Sequence, residues 1–250
     1  MSDYVALAVE DHIAVVTFAR PPINAVTLEA NRQVAEAFES INSRDDVFAA
    51  IFTSEGKGFV SGSDVGDFAE FTEDSLSQYE SANVRSINAI YNCRIPVIGA
   101  VRGYALGLGV CFAAACDILL CSDDAYFGQP EVRLGSVGGT DALSMLMPEK
   151  FVRYMAFTGK YVGVARIAEF GSIHAVVSRE RLLDEAKAVA HEITANWTTA
   201  VQAVKSALRD LKHRDLAQDF YTDCKYTHEL LKNPKRNDVL EAYYAARRKK

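Results

Sequence analysis

The chain has 250 residues, of which 49% are hydrophobic, and a formal net charge of −6. This length and composition fit one large globular domain, or one domain with a helical appendage. The acidic balance argues against nucleic acid as the main partner, and the longest apolar stretch, 108–120, is too short to span a membrane and contains Asp117.

The cysteines indicate a reducing environment. Their number, five, is odd, and no two of them form a CxxC pair. We therefore expect reduced, mostly buried thiols in a cytoplasmic protein.

The chain begins with a strand and a helix. Residues 13–18 are typical of a strand, which the segment Arg20-Pro21-Pro22 ends. Thr27 is suited to cap the helix that follows, because apolar residues recur at three- and four-residue steps between 34 and 41.

A second strand and helix come next. Residues 47–53 are apolar on both faces of a strand, which indicates a buried position in a sheet. A glycine-containing turn at 55–58 follows, and we expect a helix over 74–92 and a further strand over 95–101.

The segment Gly107-Leu108-Gly109 follows that strand and leads into an apolar, alanine-rich helix over 109–116. A strand, a glycine turn and a helix aim backbone N–H groups and the positive end of the helix at an anion. Unpaired donors at a buried helix end are costly, so we expect a negative or developing negative charge to bind there.

The rest of the chain is predicted to be mainly helical. Short strands are expected at 118–121, 125–128 and 175–177. A break near residue 195 divides an α/β core, residues 1–195, from a helical C-terminal region, residues 196–250.

Several familiar sites are absent. Phe112 occupies the third glycine position of a dinucleotide fingerprint, and the chain contains no P-loop and no GxSxG serine. The histidines show no metal-ligand spacing, so we expect neither a metal nor a cofactor.

Two glycine-containing turns and one carboxylate remain. The turns are Ser61-Gly62-Ser63-Asp64 and 107–109, and two backbone N–H groups that converge on one oxygen form an oxyanion hole. Glu131 follows Pro130 among apolar residues, where burial raises a carboxyl pKa and suits it to proton transfer. From the residues alone, an exposed loop acid is the favoured interpretation of Glu131.

Five segments in order resemble the crotonase superfamily, also called the enoyl-CoA hydratase/isomerase family. They are Arg20-Pro21-Pro22-Ile23-Asn24-Ala25, 59–65, 101–109, 127–135 and 238–244. The resemblance covers essentially the whole chain. It implies an α/β, crotonase-like (ClpP/crotonase) spiral of ββα units whose helical C-terminal region, 196–250, builds homotrimers or dimers of trimers.

The resemblance also implies a site for an acyl-CoA thioester, whose coenzyme A is part of the substrate. The backbone N–H groups of Ser63 and Leu108 would bind the thioester carbonyl oxygen, and Glu131 would be the catalytic acid or base. The substrate would be lined by Ile23, Ala25, Ser61, Gly62, Asp64, Val65, Gly66 and Gly107.

Three departures from the family pattern bear on the reaction. Cys111 stands where hydratases carry a second glutamate, and a buried thiol does not replace a carboxylate. The loop Gly135 to Thr140 is shorter than usual, which weakens a water-addition interpretation. Asp141, close to this loop, is expected to lie in the first turn of a helix rather than to act in catalysis. The third departure is Leu108, where many members of the family have glycine, and its side chain would narrow the acyl pocket.

One carboxylate beside an oxyanion hole suits a proton shuttle from C2 to C4, which is Δ3–Δ2 enoyl-CoA isomerisation. An atypical hydratase or hydratase/lyase with one glutamate is the alternative, and a catalytically silent acyl-CoA-binding subunit is another. Hydrolysis of a C–C bond in a diketone is disfavoured, because no histidine lies between His12 and His174.

Overall fold

The computed structural model describes residues 4–64, 73–212 and 215–248. Within them the strands are β1 Val5–Glu10, β2 Ile13–Phe18, β3 Ala49–Ser54, β4 Val97–Val101, β5 Tyr104–Leu106, β6 Ile118–Ser122, β7 Tyr126–Gly128, β8 Tyr161–Gly163 and β9 Ala175–Val177. The helices are α1 Leu28–Asn42, α2 Glu73–Tyr91, α3 Leu108–Ala115, α4 Thr140–Leu146, α5 Glu149–Thr158, α6 Val164–Ala168, α7 Leu182–Thr194, α8 Thr198–Lys212, α9 Leu216–Leu231 and α10 Arg236–Arg248. A 3₁₀ helix, Pro130–Leu134, follows β7.

A six-stranded sheet forms the centre of the molecule, in the order β1-β2-β3-β4-β6-β9. Its strands are parallel from β2 onward, and β1 pairs with β2 in an antiparallel hairpin. All six residues of β3 and all five of β4 are buried, as expected for parallel strands covered on both faces. The predicted mixed α/β architecture is confirmed.

The two faces of this sheet pack against different helices. On one face Phe52 contacts Phe38 of α1 and Phe59, with ring centroids 5.3 and 5.1 Å apart. On the other face Leu182 and Ala186 of α7 pack against the strands. The N-cap of α1 is Thr27, whose side chain accepts a hydrogen bond from the Ala30 N–H, as predicted.

A second sheet, in the order β5-β7-β8, contains the feature that positions the site. Strands β5 and β7 are parallel neighbours, with Leu106 opposite Gly128. The residues that follow two parallel strands meet at one sheet edge, so the Gly107 turn lies beside the Pro130–Leu134 helix. The N–H of Gly107 donates to the carbonyl oxygen of Gly128 at 2.9 Å.

The sequence patterns did not predict β1, β5 and β8. Strand β1 is an edge strand whose side chains are mostly exposed, so it lacks the apolar run of a buried strand. Strands β5 and β8 have three residues each, too few to show a period. The other predicted elements are present, with ends shifted by one or two residues.

The C-terminal helices pack onto the rest of the molecule. Lys205 of α8 donates to the carbonyl oxygen of Ile95 at 2.9 Å and to Asp117 at 2.7 Å. Helix α9 packs against α2 and α4, and α10 packs against the 3₁₀ helix. No helix in the described part of the chain is long and apolar enough to cross a membrane.

Candidate active site

The first glycine turn directs the N–H of Ser63 away from its neighbouring segment. Val26 donates to the carbonyl oxygen of Gly62 at 2.9 Å, and Asp64 donates to that of Val26 at 2.9 Å. In this parallel bridge the peptide N–H between the two bonds, that of Ser63, points to the other side. It has no hydrogen-bond partner among the residues that the structure describes.

The second glycine turn ends at the first residue of α3, Leu108. An N–H at this position precedes the helical hydrogen-bonding pattern and is unpaired. Gly107, just before it, has φ +53°, which favours glycine, and an added Cβ at Gly62 would lie 3.8 Å from Cα of Gly107. The two turns are therefore in contact, and both are next to the free end of a wholly buried helix.

Close packing explains a third glycine, Gly109. A Cβ there would lie 2.3 Å from the carbonyl oxygen of Val60, on the segment that leads to the first turn. Val60 also accepts a hydrogen bond from Leu106 at 2.9 Å. The two turns are held side by side by these backbone contacts.

The carboxyl group of Glu131 lies against the second turn. A Cβ on Gly107 would be 2.5 Å from its Oε1. Although the residue as a whole is half-buried, Oε2 is fully enclosed and has no hydrogen-bond partner in the described part of the chain. The group is therefore enclosed, unlike an exposed loop acid.

The surroundings of Glu131 favour its neutral form. Desolvation, with a smaller contribution from the negative charge of Asp223, raises the pKa of its carboxyl group to about 8. A carboxyl group with this pKa can both accept and return a proton near neutral pH.

Helix α9 holds the shortened loop that follows Glu131. The hydroxyl of Thr227 donates to the carbonyl oxygen of Val137 at 2.7 Å and accepts from its N–H at 2.8 Å. Asp223 accepts from the N–H and the hydroxyl of Thr140 at 2.9 and 2.7 Å. This two-point clamp, Asp223 and Thr227, was not predicted, because the partners are more than eighty residues apart in sequence.

Cys111 contacts this loop. A Cβ on Gly139 would lie 2.7 Å from its Sγ, so the loop occupies the space beside the thiol. Burial, followed by the charge of Glu131, raises the thiol pKa well above its usual value. Cys111 is 3% exposed and stays protonated, in agreement with the expectation that it does not act as a carboxylate.

Asn24 joins the loop that carries Ile23 and Ala25 to the turn 55–58, a role that its place in the resembling segment did not reveal. Its side-chain amide donates to the carbonyl oxygens of Glu55 and Gly58 at 2.7 and 2.8 Å. Nearby, Arg20 forms an ion pair with Asp64 at 2.8 Å. The carboxylate of Asp64 is thus engaged by the protein itself.

The turns and Glu131 border one cavity of about 180 Å³. Of the residues predicted to act or to line the site, the cavity wall contains Ile23, Ala25, 61–64, 107–108, Cys111 and Glu131. Val65 and Gly66 lie outside the described residues. Asp141 lies in the first turn of α4, as expected, and does not border this cavity.

Part of the wall comes from helices that the motifs did not indicate. Glu80 and Asn83 of α2 and Cys224 of α9 border the cavity. His228, one turn beyond Cys224, lies with Nε2 2.9 Å from Oε1 of Glu80. The fold thus brings a later histidine to a residue of the cavity wall, although no histidine lies between His12 and His174.

This arrangement can bind a developing oxyanion and move a proton beside it. Two N–H groups and a helix end supply fixed positive dipoles, and Glu131 supplies one titratable group. Among the described residues no group of three or more His, Cys, Asp or Glu side chains is arranged to hold a metal ion.

Comparison with known proteins identifies relatives over nearly the whole chain. The model of the enoyl-CoA hydratase/isomerase family matches residues 8–250. A protein of Mycobacterium tuberculosis named (7aS)-7a-methyl-1,5-dioxo-2,3,5,6,7,7a-hexahydro-1H-indene-carboxyl-CoA hydrolase is 34% identical over 88% of this chain and 90% of its own. The short-chain-enoyl-CoA hydratase of Clostridium acetobutylicum is 29% identical over 98% of this chain and 95% of its own. The crystal structure of an enoyl-CoA hydratase/isomerase from Xanthobacter autotrophicus superposes with a TM-score of 0.88 at 25% identity, over 99% of this chain and 98% of that one. The expected crotonase-like fold is confirmed.

Proposed function

The chain belongs to the enoyl-CoA hydratase/isomerase family, and from that premise we propose that it is an acyl-CoA enzyme that stabilises a thioester enolate and moves one proton with Glu131. The observation that carries the proposal is the contact between the Glu131 carboxyl group and the Gly107 turn.

In this mechanism the thioester carbonyl oxygen accepts hydrogen bonds from the N–H groups of Ser63 and Leu108. When a proton leaves C2, the electron pair moves onto that oxygen, and the two donors and the N-terminus of α3 stabilise the charge. The loss of one such donor costs about 3 kcal/mol of transition-state stabilisation. The rest of the substrate would extend along Ile23, Ala25 and the turn 61–64, and no cofactor beyond its coenzyme A is needed.

The reaction that one carboxylate supports best is Δ3–Δ2 enoyl-CoA isomerisation. Glu131 takes the proton from C2 of a 3-enoyl thioester, a dienolate forms, and Glu131 returns the proton to C4. Cys111 supports a mechanism with a single base, because its protonated thiol lies beside the loop at Gly139 and does not act as a second carboxylate. Water addition would use a water molecule held between two carboxylates, and the second of these is missing because Cys111 stands at its position.

Exchange of the C2 protons of a saturated acyl-CoA in deuterated water tests the first step. Glu131→Gln keeps the size of the side chain and removes the base, so exchange should fall by about 10²- to 10⁴-fold. Glu39→Gln, on an exposed part of α1, is the matched control and should leave exchange unchanged. Unchanged exchange in Glu131→Gln would refute the assignment of the base.

Three further assays of the wild-type protein separate the remaining alternatives. Conversion of a 3-enoyl-CoA to the 2-enoyl isomer supports the isomerase, whereas rapid hydration of crotonyl-CoA supports an atypical hydratase. Binding of acyl-CoA by calorimetry, without exchange or turnover, supports a silent binding subunit.

A second candidate is hydrolysis, because the Mycobacterium tuberculosis relative is named as the hydrolase of a dioxo carboxyl-CoA. We propose it as cleavage of a C–C bond beside the ketone of a 3-ketoacyl-CoA. Glu131 would take a proton from water while the hydroxide adds to the C3 ketone. The C2–C3 bond then breaks, its electron pair forms the thioester enolate in the oxyanion hole, and Glu131 returns the proton to C2. Incorporation of ¹⁸O from labelled water into a carboxylate product, measured by mass spectrometry, would support this reaction.

We also propose that the protein is a homotrimer or a dimer of trimers. Support comes from an apolar surface on and just before α8, where Trp197, Leu208 and Leu211 are 74, 57 and 77% exposed. Light scattering should give a mass of three or six chains, and Leu208→Lys should reduce it. A monomeric wild-type protein would contradict the proposal.

A further inference from the structure

The wall of the cavity that α2 and α9 build contains polar side chains among apolar ones. Glu80 and Asn83 of α2 and Cys224 of α9 border the cavity and are 9, 8 and 6% exposed. They lie among apolar neighbours, including Leu76 and Phe220. We call Glu80, Asn83, Cys224 and His228 the polar wall.

The members of the polar wall are held by contacts within the protein. Oε1 of Glu80 is enclosed and lies 2.9 Å from Nε2 of His228. Burial first, and then the charge of Glu80, raises the pKa of the Cys224 thiol, so this thiol stays protonated. Asn31 donates to Oδ1 of Asn83 at 2.5 Å, which anchors the Asn83 amide.

A hydrocarbon chain would be a poor occupant of this wall. His228 and the Cys224 thiol already contact the Glu80 carboxyl group, and a hydrocarbon chain would offer its remaining acceptor sites no hydrogen bond, which is unfavourable for a buried polar group. Carboxylate oxygens accept hydrogen bonds, so the group that fits them is a donor. Among uncharged substituents of an acyl chain, a hydroxyl is such a donor.

We propose that the polar wall is a specificity site for a hydroxyl group carried by the acyl chain beyond the reacting carbons, with Glu80 as its acceptor. This inference rests on the proposed function, because it assumes that the acyl chain of a CoA thioester occupies the cavity. The substrate class is then a hydroxyacyl-CoA, and unsubstituted acyl chains bind less tightly.

The experiment measures dissociation constants by calorimetry for hexanoyl-CoA and for hexanoyl-CoA with a hydroxyl at C4, C5 or C6. At least one hydroxylated thioester should bind about tenfold or more tightly than hexanoyl-CoA, as expected for a hydrogen bond to a charged group. Equal affinities in the wild-type protein overturn the proposal without the need for any variant. Tighter binding of a ketone-bearing analogue in place of the hydroxylated ones also overturns it.

Three variants locate the effect. Glu80→Gln, which removes the charge but keeps the size, should reduce the preference for the hydroxyl by about tenfold, and Glu39→Gln should leave it unchanged. A preference retained in a folded Glu80→Gln protein refutes the role of Glu80. Glu131→Gln should lose proton exchange and keep the preference, so failure of the proposed chemistry and failure of this inference give different results.

Discussion

The ionisation of Glu131 opposes folding, and the free energy by which it destabilises the folded protein can be measured. The pKa of its carboxyl group rises from 4.5 to about 8 in the folded protein, so the folded state binds the proton more tightly than the unfolded chain. The contribution of Glu131 to the free energy of unfolding is therefore most favourable below pH 4.5, falls as the pH rises, and levels off above pH 8. At about 1.4 kcal/mol for each pKa unit, the full cost is about 5 kcal/mol.

Glu131→Gln removes this cost, because its amide stays neutral at every pH. The variant should exceed the wild-type protein in unfolding free energy by about 1 kcal/mol at pH 5, about 3 kcal/mol at pH 7 and about 5 kcal/mol at pH 9. Urea unfolding of both proteins at these pH values, at equal protein concentration, measures the difference.

The control variant, Glu39→Gln, should change the free energy of unfolding in the opposite direction. Arg85 lowers the pKa of Glu39 through a side-chain hydrogen bond, so Glu39 stabilises the folded state above its unfolded pKa and loses this effect as the pH falls. Glu39→Gln should thus be slightly less stable than the wild type at neutral pH. A stability difference for Glu131→Gln that does not grow with pH would refute the argument that the carboxyl group is buried and neutral.

Three further predictions concern activity. As Glu131 must be ionised to act as a base, kcat/KM should rise about tenfold per pH unit below pH 8 and level off above it in a steady-state pH profile, and a flat profile would contradict this. Gly107→Ala places a Cβ 2.5 Å from Oε1 of Glu131, at a residue whose φ is +53°. Because this displaces the base, proton exchange should fall by about 10²-fold. Near-normal exchange would show that the contact between Gly107 and Glu131 is unimportant. Thr227→Val leaves both polar groups of Val137 without their partner, so the unfolding free energy should fall by about 1–3 kcal/mol and kcat should fall more than KM changes. Thr222→Val, on an exposed part of the same helix, is its control and should have little effect.

Much of the architecture is readable from local patterns. Continuous apolar residues predict the buried strands β3 and β4, and Thr27 predicts the N-terminal cap of α1. The same holds for the two glycine turns, because a backbone that must adopt a positive φ or approach another chain closely requires glycine.

The site is different, because its parts meet only through strand pairing. The local sequence of Glu131 favours an exposed loop acid, whereas the structure encloses its carboxyl group. The parallel pairing of β5 with β7, two strands of three residues, brings its carboxyl group to Gly107. Desolvation at that position then sets its pKa.

Helix α9 shows the same division most clearly. Its sequence indicates a helix and, by resemblance, a contribution to oligomers. Only the tertiary structure turns Asp223 and Thr227 towards the loop after Glu131 and Cys224 and His228 towards Glu80. The sequence by itself thus determined the family, the turns and the candidate base, since these depend on local backbone geometry and motif order. The environment of that candidate base and the polar wall of the cavity were decided by packing between distant segments, because burial and charge depend on neighbours in space.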